Sequence, residues 1–197
     1  MSVQNITTAG ARQSFVALKV LVIMTALLGV AYPAVVWAVG QVVVPGRADG
    51  QLVERDGRVV GSAIIGQSFP VEDDGWFHGR PSANDYDGLA SAPTNLGPSN
   101  PDLLAAVRER RAAVAGVEGV APSQVPADAV TASGSGLDAS ISPAYAALQV
   151  PRVAEARGLS ESAVRELVER ATSGRSLGFL GQPRVNVLEL NLALENG

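Results

Sequence analysis

Cysteine is absent from this 197-residue chain, lysine occurs once, at Lys19, and histidine once, at His78. Each scarcity removes a class of chemistry. Without cysteine there is no disulfide framework and no thiol nucleophile. With one histidine the usual zinc ligand sets are excluded, and no metal site is expected. A phosphate-binding P-loop closes its glycine-rich turn with a lysine. The phosphorylated-aspartate motif of ATP-driven cation pumps also carries a lysine after its aspartate. Lys19 sits in neither context, so this chain does not hydrolyse ATP by either route. Residues 46–197 hold 13 Arg against 19 Asp plus Glu, a formal balance of −6. An acidic stretch without a basic cluster argues against nucleic acid and anionic lipid as partners.

Charge is missing altogether between Lys19 and Arg47. As a helix this run reaches roughly 40 Å, longer than the ~30 Å hydrocarbon core of a bilayer. A cleaved signal peptide is the competing reading, with Val36-Trp37-Ala38 as a passable cleavage site. Signal h-regions span only about 7–15 residues, however, so the length favours a retained anchor. Pro33 is expected to kink the helix. Gly29, Ala31 and Ala34 offer small side chains for close packing against other membrane helices. The preceding tail carries Arg12 and Lys19 and no acid, which places it in the cytoplasm by the positive-inside rule. The expected organisation is a cytoplasmic tail at 1–14, a transmembrane helix at 15–44 in a lipid bilayer, and an extracytoplasmic domain at 45–197.

What the exported part has in quantity is turn-forming residues. Between Gln67 and Pro101 there is no helical period, only turn signals such as Gly79-Arg80-Pro81, Asp87-Gly88 and Gly97-Pro98. An irregular run of this length is uncommon in a compact domain and usually functional. Asn100-Pro101 and Ser142-Pro143 read as helix starts, and Ser160 as a third cap. The first helix should end near Ala115. The second should end at Gly158 and be divided by Pro151, and the third should close at Gly174. Val59 to Gly66 reads as a short strand. Leu188, Leu190, Leu192 and Leu194 alternate with other residues, the period of a half-buried strand. The predicted fold is α+β: one N-terminal transmembrane helix followed by a single extracytoplasmic mixed α/β domain.

His78 is the one side chain suited to acid–base work near neutral pH, lying between Phe77 and Gly79. It reads either as a polar contact in a binding loop or as a lock on its own loop. Arg80-Pro81-Ser82 can meet a partner's carboxylate, or Arg80 can pair with Asp85 or Asp87. Ser133 and Ser135 alternate with Gly134 and Gly136, but neither lies in a Gly-x-Ser-x-Gly elbow. The bland reading is a tight Ser/Gly turn whose N–H groups form a nest. No catalytic residue is assigned.

Several strings are specific. They are Gly61-Ser62-Ala63-Ile64-Ile65-Gly66-Gln67, Phe77-His78-Gly79-Arg80-Pro81-Ser82-Ala83, Asn95-Leu96-Gly97-Pro98-Ser99-Asn100-Pro101, Val130 through Asp138 with Ile141-Ser142-Pro143, Gln149-Val150-Pro151-Arg152-Val153-Ala154, and Gly181-Gln182-Pro183-Arg184-Val185-Asn186 continuing to Leu194. In this order, behind one anchor, they resemble the KdpC family, the small C subunit of the bacterial Kdp potassium-transporting ATPase. The resemblance runs from about residue 20 to the end. It implies a non-catalytic subunit of an inner-membrane pump, partnered by a potassium-channel-like subunit, a P-type ATPase subunit and a very small hydrophobic subunit. It also implies a role in assembly, and a catalytic-chaperone role that raises the ATP affinity of the ATPase subunit. The chain then has no cofactor of its own and meets ATP through that subunit. The matching strings make Phe77, His78, Gly79, Arg80, Pro81, Ser82, Asn95, Asn100, Ser133, Ser135, Asp138 and Asn186 the candidate partner-contact or loop-shaping residues. The residues alone leave a stand-alone membrane-anchored enzyme or ligand-binding domain as the alternative.

Overall fold

The apolar run folds as one long helical stretch. In the computed structural model, which describes residues 3–195, α1 covers Val3–Ala26, a π-helical turn covers Leu27–Ala31, and α2 covers Tyr32–Val43. Of the 1–14 tail, Met1 and Ser2 lie outside the described residues. Pro33 has no N–H, and its ring crowds the carbonyl four residues back. The π turn just before it absorbs this, and the Tyr32 N–H bonds the Leu27 carbonyl, one residue further back than in an α-helix. Gly10–Val43 is long and apolar enough to cross a membrane. A short helix α3, Pro45–Ala48, follows.

The chain divides at Gln51 and Leu52 into two compact units. The second is mixed helix and strand. β1 (Leu52–Arg55) and β2 (Arg58–Ser62) form a hairpin. Residues 66–100 then carry no helix or named strand. Asn100 caps α4 (Pro101–Val117), its Oδ1 accepting from the Asp102 N–H at 2.8 Å. Two 3₁₀ turns, Pro122–Gln124 and Ala127–Ala129, lead to β3 (Ser140–Ile141). Ser142 caps α5 (Pro143–Arg157), and Ser160 caps α6 (Glu161–Ala171). β4 (Thr172–Ser173) and β5 (Arg184–Asn186) precede α7 (Val187–Glu195). The small sheet is antiparallel, with β5 between β3 and β4.

Three sequence expectations are corrected. The alternating leucines are not a strand: residues 187–195 form α7. Val187, Leu188, Leu190, Asn191 and Leu194 are buried, four of them (187, 190, 191 and 194) spaced i, i+3, i+4, i+7, and Asn186 starts the helix by accepting from the Glu189 N–H at 3.1 Å. Leu, Glu and Ala favour helix, and the alternation coincided with a helical stripe. Pro151 does not divide α5. It lies on the exposed side with Ala147, where the missing N–H costs least, while Val150, Val153 and Ala154 hold the helix in the core. α6 closes at Ala171 rather than Gly174, because Thr172 and Ser173 pair with β5. The core combines Phe77, Val130, Ile141, Tyr145, Val150, Val153, Val164, Val185 and Leu190.

Candidate functional site

Two buried carboxamides hold the centre of the irregular segment. Phe77 is fully buried. Its N–H donates to Asn191 Oδ1 at 2.9 Å, and its carbonyl accepts from Asn191 Nδ2 at 2.9 Å. The His78 N–H donates to Gln149 Oε1 at 2.7 Å, and its carbonyl accepts from Gln149 Nε2 at 3.1 Å. Each amide thus imitates a peptide group of a neighbouring strand, and two successive residues are satisfied without a sheet. Gln149 and Asn191 were not singled out from the sequence. The available signal was an amide at a core position of an amphipathic helix. Both are closed to solvent, so neither is offered to a ligand.

Arg152, on α5 with Gln149, ties the same segment to α4. Its Nε donates to both oxygens of Glu118, at 3.1 and 3.2 Å, and its NH1 to the carbonyls of Asp74 and Trp76, at 2.6 and 3.0 Å. Its NH2 donates to Gln149 Oε1 at 3.0 Å. The pair is withdrawn from water, with side chains 8% and 2% exposed. Burial raises the Glu118 carboxyl above its ordinary range, outweighing the attraction of Arg152. Arg157 donates to the Gly75 carbonyl at 2.8 Å, and its guanidinium lies 4.3 Å from the Trp76 ring centroid.

The second half of the cluster joins residues 80–92 to residues 131–138. Arg80 pairs with Asp138 at 2.8 Å, not with Asp85 or Asp87. The true partner is far away in sequence, which is why the local acids looked plausible. Arg80 also donates to the Thr131 carbonyl at 3.3 Å. Ser82 Oγ bridges the loops, 2.7 Å from both the Gly136 carbonyl and Asn84 Oδ1, and accepts from the Tyr86 N–H at 3.0 Å. The Ser91 hydroxyl and the Ala92 N–H both donate to the Ser135 carbonyl, at 2.9 and 3.1 Å. Gly136 has φ 71°, and a Cβ there would strike the Asn84 side chain. A Cβ at Gly79 would strike the Tyr86 hydroxyl. That hydroxyl donates to the Arg80 carbonyl at 2.5 Å. Burial pushes its pKa up to about 12, so the donor persists across the physiological range.

Other candidate residues serve nearby. Pro81 lines an open cavity of about 450 Å³ with Phe69, His78, Arg80, Arg110 and Val117. Asn95 is exposed with φ 55°, and Ser133 is buried. Ser135 Oγ accepts from the Leu137 N–H at 3.1 Å. Asn186 Nδ2 donates to the Ala63 carbonyl at 2.6 Å, which ties β5 to the segment after β2. In the first unit, Gly29 and Ala31 fall in the π turn and Ala34 just beyond it, all exposed.

The His78 ring nitrogen Nε2 lies 3.3 Å from the Pro70 carbonyl. Burial, then the charge of Arg152, lowers its pKa below the ordinary value of 6.5, against the smaller opposing pull of the Pro70 carbonyl, Asp73 and Asp74. Below about pH 6.5 the unfolded chain therefore takes up a proton at this site before the folded one does. Stability should fall as pH drops from that value towards the lower folded pKa. Melting curves between pH 5 and 8 should show this slope in the wild type and a flatter one in His78→Gln. Equal slopes would assign the titration elsewhere.

The molecule is thus a protein with one candidate membrane span and a small α+β domain, whose irregular loops are held by buried polar side chains. Residues 14–196 match the family model of KdpC, described as the K+-transporting ATPase c chain, and the chain belongs to that family. Among relatives named potassium-transporting ATPase KdpC subunit, that of Kineococcus radiotolerans is 58% identical over 187 residues, covering 94% of each chain. That of Sorangium cellulosum is 56% identical, covering 91% of this chain and 95% of the relative. That of Streptomyces coelicolor is 46% identical, covering 95% and 93%.

Proposed function

We propose that this protein is a non-catalytic accessory subunit of an ATP-driven potassium pump, anchored by its first helix with the N-terminus in the cytoplasm and the domain outside. In this reading the domain docks on the potassium-channel-like subunit through residues 77–101 and 131–143, and the anchor packs against membrane helices of the pump through Gly29, Ala31 and Ala34. The P-type ATPase subunit and the very small hydrophobic subunit complete the assembly. Any effect on ATP affinity then passes through contacts with the ATPase subunit, since the domain lies across the membrane from cytoplasmic nucleotide. The observation that carries this reading is the loop cluster itself. Its backbone is held by Gln149, Asn191, Ser82 and Arg80, while Leu89 is wholly exposed and Asn95 faces solvent. Loops shaped this firmly on a scaffold suit recognition. Among the described residues the His78 ring bonds a backbone carbonyl, and Ser135 serves its own loop.

Affinity purification of the tagged chain from potassium-starved membranes tests this. It should bring down the other pump subunits, and external protease should digest the domain in right-side-out spheroplasts. Arg80→Gln and, in the anchor, Gly29→Leu should weaken recovery of the partners or raise the K+ needed for half-maximal ATPase activity, without altering K+/Na+ preference. Recovery of the chain alone, or a domain protected in intact spheroplasts, would refute the reading.

A further inference from the structure

The loop between β4 and β5 has no role in the contacts described above. It is a closed knuckle: the Ser176 N–H donates to the Leu180 carbonyl and the Leu180 N–H to the Ser176 carbonyl, both at 2.9 Å. The Gly178 and Phe179 N–H groups donate to the Arg175 and Ser176 carbonyls, at 3.1 and 3.3 Å. Leu177 and Gly178 take the left-handed conformation, with φ 53° and 80°. This turn drives three large apolar side chains outward. Leu177 is 83% exposed, Phe179 69% and Leu180 50%. Elsewhere in the domain, exposed large apolar residues stand singly or in twos along the chain. Such a patch marks a membrane or partner surface.

The charge around it decides between the two. Residues 170–188 hold Arg170, Arg175 and Arg184 and no acid, although the domain as a whole is acidic. Arg170 pairs with Glu166. Arg175 and Arg184 are exposed and make no ion pair among the described residues. We infer that this knuckle inserts Leu177, Phe179 and Leu180 into the interface of an anionic phospholipid bilayer, with Arg175 and Arg184 on the lipid phosphates. Net charge describes the chain as a whole; the loop itself, residues 174–183 with Arg184 beside it, carries two cations and no acid, the flanking Glu169 and Glu189 lying on α6 and α7. Backbone groups entering the interface need partners, and within the turn the N–H groups of Ser176, Gly178, Phe179 and Leu180 are already bonded. The candidate span ends at Val43 and the domain begins at Leu52. The domain is therefore tethered to the bilayer that holds the span, and docking is an intramolecular step.

The native chain has no cysteine, so one label can be placed at will. Ser176→Cys and, as control, the exposed Ser162→Cys would carry an environment-sensitive fluorophore. The full-length protein would be studied alone and with its co-purifying subunits, in nanodiscs of phosphatidylglycerol and phosphatidylcholine containing nitroxide-labelled lipid. Quenching is expected at position 176 and not at 162, in both preparations. Phe179→Ser should lower the docking equilibrium constant about tenfold. Arg175→Gln with Arg184→Gln, or nanodiscs of phosphatidylcholine alone, should lower it as well. No quenching at 176 would overturn the inference. So would quenching that vanishes when the other subunits are present, which would show a protein partner on the knuckle. Quenching indifferent to Phe179, to both arginines and to anionic lipid would overturn it too.

Discussion

Replacing Arg152 with methionine is expected to destabilise the domain by about 3–5 kcal/mol. The substitution keeps most of the apolar stem and removes the guanidinium. Glu118, only 2% exposed at its side chain, is then left without its cation, and the carbonyls of Asp74 and Trp76 lose their donor. In a domain of this size the loss lowers the melting temperature by roughly 10 °C or more. Two further outcomes separate a stranded carboxylate from simple loss of packing. Glu118→Leu added to Arg152→Met should recover much of the stability, because no unpaired charge remains. The deficit of the single variant relative to wild type should also shrink as pH falls. A carboxyl whose folded pKa is raised binds its proton in the folded state first, so protonation favours folding above the unfolded pKa. A loss under about 1 kcal/mol, constant with pH, would mean that the pair behaves as a surface salt bridge.

Asn191→Leu should cost about 2–5 kcal/mol, since the Phe77 N–H and carbonyl are both left unpaired in a closed interior. The loop should feel this before the helices do. Amide exchange at Phe77 and His78 should quicken, and proteolysis between residues 70 and 92 should rise, while α5 and α6 stay protected. Asn191→Asp is the sharper test. As a carboxylate it can still accept from the Phe77 N–H, but it cannot donate to the Phe77 carbonyl, and it buries a charge. Once protonated it regains the donor. Its stability relative to wild type should therefore improve as pH is lowered, whereas the leucine variant's deficit should not. Parallel behaviour of the two variants would show that Asn191 matters only for its volume.

The buried amides and Arg152 explain how a stretch without regular structure keeps one shape. Residues 66–100 cannot rely on ladder hydrogen bonds. Instead, side chains projecting from α5 and α7 bond the backbone of residues 74–78, and the loop at 131–138 bonds Gly66, Arg80, Ser82, Ser91 and Ala92. The shape of this part of the loop therefore depends on side chains well inside the domain.

Features with short-range causes were legible in the sequence. The long apolar helix follows from the absence of charge between Lys19 and Arg47. The caps at Asn100, Ser142 and Ser160 act on N–H groups two or three residues away, so their chemistry is written locally. The strings rich in Gly, Pro, Asn and Ser announced shaped loops because those residues restrict or widen φ and ψ by themselves. Tertiary structure decided everything that depends on a distant partner. Arg80 found Asp138 rather than Asp85 or Asp87, and Asn191 found Phe77 from 114 residues away. It also decided α7, where leucines at alternate positions suit a strand and a buried 187, 190, 191, 194 stripe suits a helix equally well. Local propensity differs between such alternatives by tenths of a kcal/mol per residue. Burial of Leu190 and Leu194 and the paired amide of Asn191 are worth several kcal/mol, and that difference selects the helix.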